Sequence, residues 1–145
     1  MKKIKYFIPS FIIMMIIFSF SMQTGEESGG LSLKVVQIIQ EIFSFFTNTD
    51  LLHTIIRKGA HMSEYAVLTL TYVYGFYKNN LDIKKICLYS ILCTFLYAST
   101  DELHQLFVGG RAGQLTDVLI DTTGGLIIII IVYLILRRKT NELSN

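Results

Sequence analysis

The chain has 145 residues, 52% of them hydrophobic, and a mean hydropathy of +0.51. A soluble domain of this size needs more polar surface, and the apolar residues fall in long runs, which is the signature of a bilayer protein. A formal charge of +2 gives no basis for a nucleic-acid partner, and nothing in the chain resembles a linker between two domains.

Four apolar runs, at 4–22, 59–77, 83–99 and 115–136, are predicted to cross the membrane. At about 1.5 Å per residue they span roughly 27–33 Å, one hydrocarbon thickness. The first follows Lys2 and Lys3, as a signal peptide would. Its core exceeds the usual ~7–15 residues, however, and Ser-Met-Gln-Thr is a poor cleavage site, so an uncleaved helix is expected. Pro9 lies near its inner end, where a kink costs least.

Residues 23–30, Gln-Thr-Gly-Glu-Glu-Ser-Gly-Gly, read as a polar break. Over 31–46, Val35, Ile38, Ile39, Ile42, Phe45 and Phe46 share one helical stripe. Lys34, Gln37, Glu41, Ser44 and Asn48 line the other side. This amphipathic helix suits either the membrane surface or packing on the rest of the protein. The short link 78–82 makes the second and third spans antiparallel neighbours. Cys87 and Cys93 sit in one apolar run on different helix faces, and read as small buried hydrophobes. The fold class expected is therefore all-α: a membrane bundle of four transmembrane helices, with the amphipathic helix between the first and second.

Charge orients the bundle. Lys2, Lys3 and Lys5, then Lys78, Lys84 and Lys85, then Arg137, Arg138 and Lys139 fall on one side of four spans. Basic residues accumulate on the cytoplasmic side, so both termini are expected there, in the plasma membrane. Lys34, Arg57, Lys58 and Arg111, all three histidines and nine of the eleven acids fall outside.

Three helix ends then converge on the outer face. Arg57, His61 and Glu64 are spaced four and three, on one face of the second span. The third ends in Asp101-Glu102-Leu103-His104-Gln105. The fourth follows a Gly-Gly-Arg-Ala-Gly loop carrying Arg111, and places Asp117 and Asp121 four apart. Gly124 and Gly125 continue that face and would let a neighbouring helix approach closely. Glu64 and Asp121 lie inside their spans, where an acid costs on the order of 2.5 kcal/mol unless it meets protein, water or a counter-charge. Arg57, Lys58 and Arg111 lie at matching depth. An outward-facing charged pocket follows, although Asp117 could equally favour a helix N-terminus or pair with Arg111 in packing. His61 with Glu64, and Glu102 with His104, match no zinc signature, and the cations nearby oppose a metal. No metal or cofactor is expected. Ser63 lacks a nucleophile-elbow context, while the Gly-rich loop beside Arg111 suits a phosphate or carboxylate.

The blocks Phe-Ser-Met-Gln at 20–23, Arg-Lys-Gly-Ala-His-Met-Ser-Glu-Tyr at 57–65, Asp-Glu-Leu-His-Gln at 101–105 and Gly-Arg-Ala-Gly-Gln-Leu-Thr-Asp-Val-Leu-Ile-Asp-Thr-Thr-Gly at 110–124 resemble the VanZ-like family, named for a protein linked to teicoplanin resistance. Met62 stands where that family commonly has phenylalanine, and Gly109 where it has proline. The resemblance implies a cell-envelope membrane protein, some of whose relatives lower susceptibility to glycopeptide or lipoglycopeptide antibiotics. It fixes no reaction.

The leading expectation is a non-catalytic protein whose pocket binds a membrane lipid, a lipid-linked cell-wall precursor head group or a lipoglycopeptide. Gln23, Arg57, Lys58, Glu102, Gln105, Arg111, Asp117 and Asp121 would be its ligand-binding residues. The alternative is an enzyme modifying an envelope lipid, with His61 or His104 as base and Glu64 or Asp101 orienting it. A transport path is disfavoured by the apolar inner halves, Leu126 to Leu136 most clearly.

Overall fold

A computed structural model describes residues 3–43 and 48–144, with side chains as far as 138. Among the described residues every regular element is helical: α1 (Ile8–Ser21, after a 3₁₀ turn at Ile4–Phe7), α2 (Gly25–Ile42), α3 (Thr49–Lys78), α4 (Ile83–Gln105) and α5 (Leu115–Ser144). Two stretches, Ile4–Ser21 and Leu115–Arg138, are long and apolar enough to cross a membrane. The more polar α3 and α4 do not meet that criterion.

The expected break at 23–30 is helical from Gly25 onward. The Thr24 hydroxyl accepts from the Glu27 N–H at 3.2 Å, and the Glu27 carboxylate accepts from the Thr24 N–H at 2.9 Å. This reciprocal capping box satisfies donors that would otherwise be orphaned, and it outweighs the glycines. The helix at the second expected span also starts earlier than expected, at Thr49, where the Asn48 side chain accepts from the Leu51 N–H at 3.0 Å. At 30 residues α3 is about 45 Å long, so it outreaches a ~30 Å hydrocarbon layer.

Helix α2 packs on α3 and runs back along its first turns, with His53 Nε2 3.3 Å from the Gly29 carbonyl and Gln40 donating to Thr49 at 3.2 Å. Only Val36 is buried on it, while Leu31, Val35, Ile38 and Ile42 form an exposed stripe. Ser44, Phe45 and Phe46 of the expected helix lie outside the described residues.

Helices α3, α4 and α5 pack mutually, and α1 lies against α3 and α4. The main core joins Ile17, Tyr65, Leu68, Tyr72, Ala98 and Val118. A second cluster, Val73, Ile86 and Ile129, fills the opposite half. Between them the buried Thr69 and Thr94 hydroxyls bond at 2.7 Å and tie α3 to α4. Helix α5 comes close at Gly124 and Gly125, where a Cβ would meet the Met62 carbonyl and the Thr69 hydroxyl respectively.

The ends of the bundle are pinned separately. At one, the Lys3 N–H donates to Asn79 Oδ1 at 2.7 Å, which holds the N-terminus on the α3–α4 link. That link turns through Asn80 at φ +56°, a conformation asparagine tolerates. At the other, the Gly25 N–H donates to the Gly109 carbonyl at 3.1 Å, so the α4–α5 loop lies on the α1–α2 junction. A Cβ on Gly25 would overlap the Gly110 carbonyl, and Gly110 itself has φ +73°.

Candidate functional site

The second of these ends holds a cavity of about 170 Å³. Helix α3 offers Arg57, Ala60, His61 and Glu64 to it, and the α4–α5 loop offers Arg111. Phe20 and Gln23 come from the end of α1, and Ser28, Leu31 and Ser32 from α2. The four-then-three spacing of Arg57, His61 and Glu64 turns one face of α3 into one wall of it.

Arg111 is held from below. Its Nε donates to the Gln23 carbonyl at 2.9 Å and its Nη2 to the Phe20 carbonyl at 3.1 Å. The Phe20 carbonyl lies in the last turn of α1 and that of Gln23 just beyond it, where a cation complements the helix dipole. Arg111→Lys keeps the charge and loses the fork, and should cost about 1 kcal/mol while loosening the loop. Thermal unfolding in detergent and faster exchange of the Gly25 amide would register both.

Glu64 feels the charges of Asp101 and Arg111, and His61 those of Arg111, Asp101, Arg57 and Asp117. Asp101, Glu102, Gln105 and Asp121 are buried behind this wall, at 4%, 5%, 5% and 1% exposure. Asp101 Oδ2 accepts from Gln105 at 3.2 Å, and its other oxygen has no hydrogen-bond partner among the described residues. Glu102 accepts from the Gln114 N–H at 2.9 Å and so anchors the entry to α5.

Burial pushes the Glu102 carboxyl above its ordinary value of 4.5, opposed by that backbone bond. The folded chain therefore holds this proton more tightly than the unfolded one. The group favours folding below about 4.5, and that margin disappears as pH rises from there through the raised value. Glu102→Gln keeps an acceptor for Gln114 and removes the charge. It should flatten the pH dependence of stability in this window and raise the unfolding temperature at neutral pH, as pH-resolved melting would show.

Two of the other expected site residues pair with each other instead. Lys58 Nζ lies 2.6 Å from Asp117 Oδ1, which joins α3 to α5 beside the cavity. Arg111 therefore does not serve as the ion-pair partner of Asp117. His104 turns to α1, with its ring 4.8 Å from that of Phe18 and Nδ1 3.5 Å from the Ser21 hydroxyl. Neither His61 nor His104 is hydrogen-bonded to Glu64 or Asp101 among the described residues. The cavity thus gathers Gln23, Arg57, His61, Glu64 and Arg111, and leaves His104, Lys58 and Asp117 outside its lining.

The α2 residues Ser28, Leu31 and Ser32 were not anticipated. The Thr24-x-x-Glu27 pattern carried the signal, because a helix started there sets positions 28, 31 and 32 on one face. Tyr65 is a second omission: its fully buried hydroxyl has no hydrogen-bond partner among the described residues and feels the charge of Asp101.

No match to the chain was found among curated proteins or among solved structures. The family comparison reaches further, since the VanZ/LLP1 profile matches residues 6–137, from the start of α1 to the end of the apolar part of α5. That stretch includes every wall of the cavity and the buried acids behind it, so the chain belongs to the VanZ/LLP1 family.

Proposed function

We propose that the chain is a four-span protein of the plasma membrane, in which α1, α3, α4 and α5 cross, α2 lies on the outer surface, and both termini are cytoplasmic. The hydrogen bond from Lys3 to Asn79 supports this topology, because it sets the first two basic groups at one end. At the other end the cavity binds the anionic head group of a membrane lipid or a lipid-linked cell-wall precursor.

The observation that carries this reading is the cavity, which draws Arg57 and Arg111 from separate elements into one concave site. Two guanidiniums in a partly desolvated hollow suit phosphate oxygens. At about 170 Å³ it is well below a usual drug-sized site of ~300–1,000 Å³, so a head group fits and a whole lipoglycopeptide does not. An effect on lipoglycopeptide susceptibility would then be indirect, through the lipid or precursor held.

Native mass spectrometry of the protein in dodecyl maltoside, titrated with short-chain phosphatidylglycerol, tests the reading. Binding that weakens about tenfold in Arg57→Gln supports it. No binding of any phosphate-bearing lipid, or binding indifferent to that change, removes it.

A further inference from the structure

The cavity is bipolar. Arg57 and Glu64 lie seven residues apart on one face of α3, about 10 Å along its axis, with His61 between them. Among the described residues neither makes an ion pair or a hydrogen bond, so the two opposite charges do not neutralise each other. Arg111 spends Nε and Nη2 on the carbonyls at the end of α1 and keeps its positive charge at the cavity wall. Glu64 lines the same cavity and feels the charges of both the buried Asp101 and Arg111.

A ligand bearing only negative charge would bring its far side against Glu64, and one bearing only positive charge would meet Arg57 and Arg111. Unmatched charge in a partly desolvated cavity is penalised from either sign. The apolar side of the cavity, Phe20 and Leu31, is exposed at 44% and 55%, as suits a ligand with an apolar remainder.

Given the head-group reading of the cavity, we infer that its ligand is a zwitterion: a phosphate held by Arg57 and Arg111, joined through a short linker to a primary amine held by Glu64. Phosphoethanolamine is the simplest chemistry of this class, free or as a lipid head group. The carboxylate accepts N–H bonds from a primary ammonium and none from a trimethylated one, so selectivity extends to the degree of methylation.

The test compares short-chain phosphatidylethanolamine, phosphatidylglycerol and phosphatidylcholine on the intact chain in dodecyl maltoside, with free O-phosphoethanolamine as competitor. Phosphatidylethanolamine should bind about tenfold tighter than the other two. Glu64→Gln should abolish that preference, with an unfolding temperature close to the parent's. Competition by free O-phosphoethanolamine supports the proposal with the head group as sole determinant. Competition by the intact lipid alone supports it with the apolar rim contributing. Equal or tighter phosphatidylglycerol binding by the parent, or a preference surviving Glu64→Gln, overturns the zwitterion and leaves the anionic reading intact. Failure of all three lipids overturns both.

Discussion

Gly124→Ala should detach α5 from α3 and lower stability by roughly 3 kcal/mol, the upper part of the range for overpacking. The added methyl carbon would overlap the Met62 carbonyl oxygen and sit 2.9 Å from its carbonyl carbon. Both are backbone atoms of a helix, so no rotamer change can move them aside, and the two helices must separate. Helices in lipid gain little from hiding apolar surface and depend on close backbone approach, which this glycine permits. Separation would also carry away His61 and Glu64, the neighbours of Met62 on α3, and widen the cavity. Gly59→Ala is the matched control: it lies on α3 with nothing within 4 Å of the added carbon, and should be neutral or slightly stabilising. Unfolding by heat or SDS, read by circular dichroism, separates the two. Equal stability of both variants would contradict the close α3–α5 approach.

The contrast between those glycines shows what the chain reveals unaided. Gly124 and Gly125 were legible as a contact face because they continue the register of Asp117 and Asp121, and the wall of Arg57, His61 and Glu64 because its spacing is helical. The apolar runs at each end of the chain likewise gave α1 and α5 directly. Helix α2 was harder: glycines at 25, 29 and 30 suggest a break, and only the capping pair Thr24 and Glu27 argues otherwise.

The C-terminal end of α4 was legible in composition but not in direction. Glu102 and His104 lie about 200° apart on the helix, so one serves α5 and the other must face elsewhere, here α1. Neighbour geometry decides that choice, and one-dimensional spacing cannot. The clasp of Arg111 on two carbonyls at the end of α1 is hidden for a similar reason, since backbone acceptors leave no mark in a sequence.

Asp121 leads to the second large effect, and its sign is the reverse of the first. Its side chain is 1% exposed, and neither carboxyl oxygen has a hydrogen-bond partner among the described residues. The charges that act on it most are acidic: Glu102, Asp101, Asp117 and Glu64. A buried polar group without a partner costs about 1–3 kcal/mol, and nearby like charge adds to this. Asp121→Asn keeps the shape, removes the charge and supplies N–H donors to the neighbouring carboxylates. It should stabilise the protein by about 2 kcal/mol, seen as a higher unfolding temperature in detergent. A position this unfavourable to folding is where stability and activity are expected to trade against each other. The same variant should therefore bind phosphate-bearing lipid differently from the parent, although Asp121 does not line the cavity. A stabilised variant with unaltered lipid binding would separate the buried acids from the site. A destabilised one would mean that the carboxylate gains a partner in the membrane, and that its burial is compensated there.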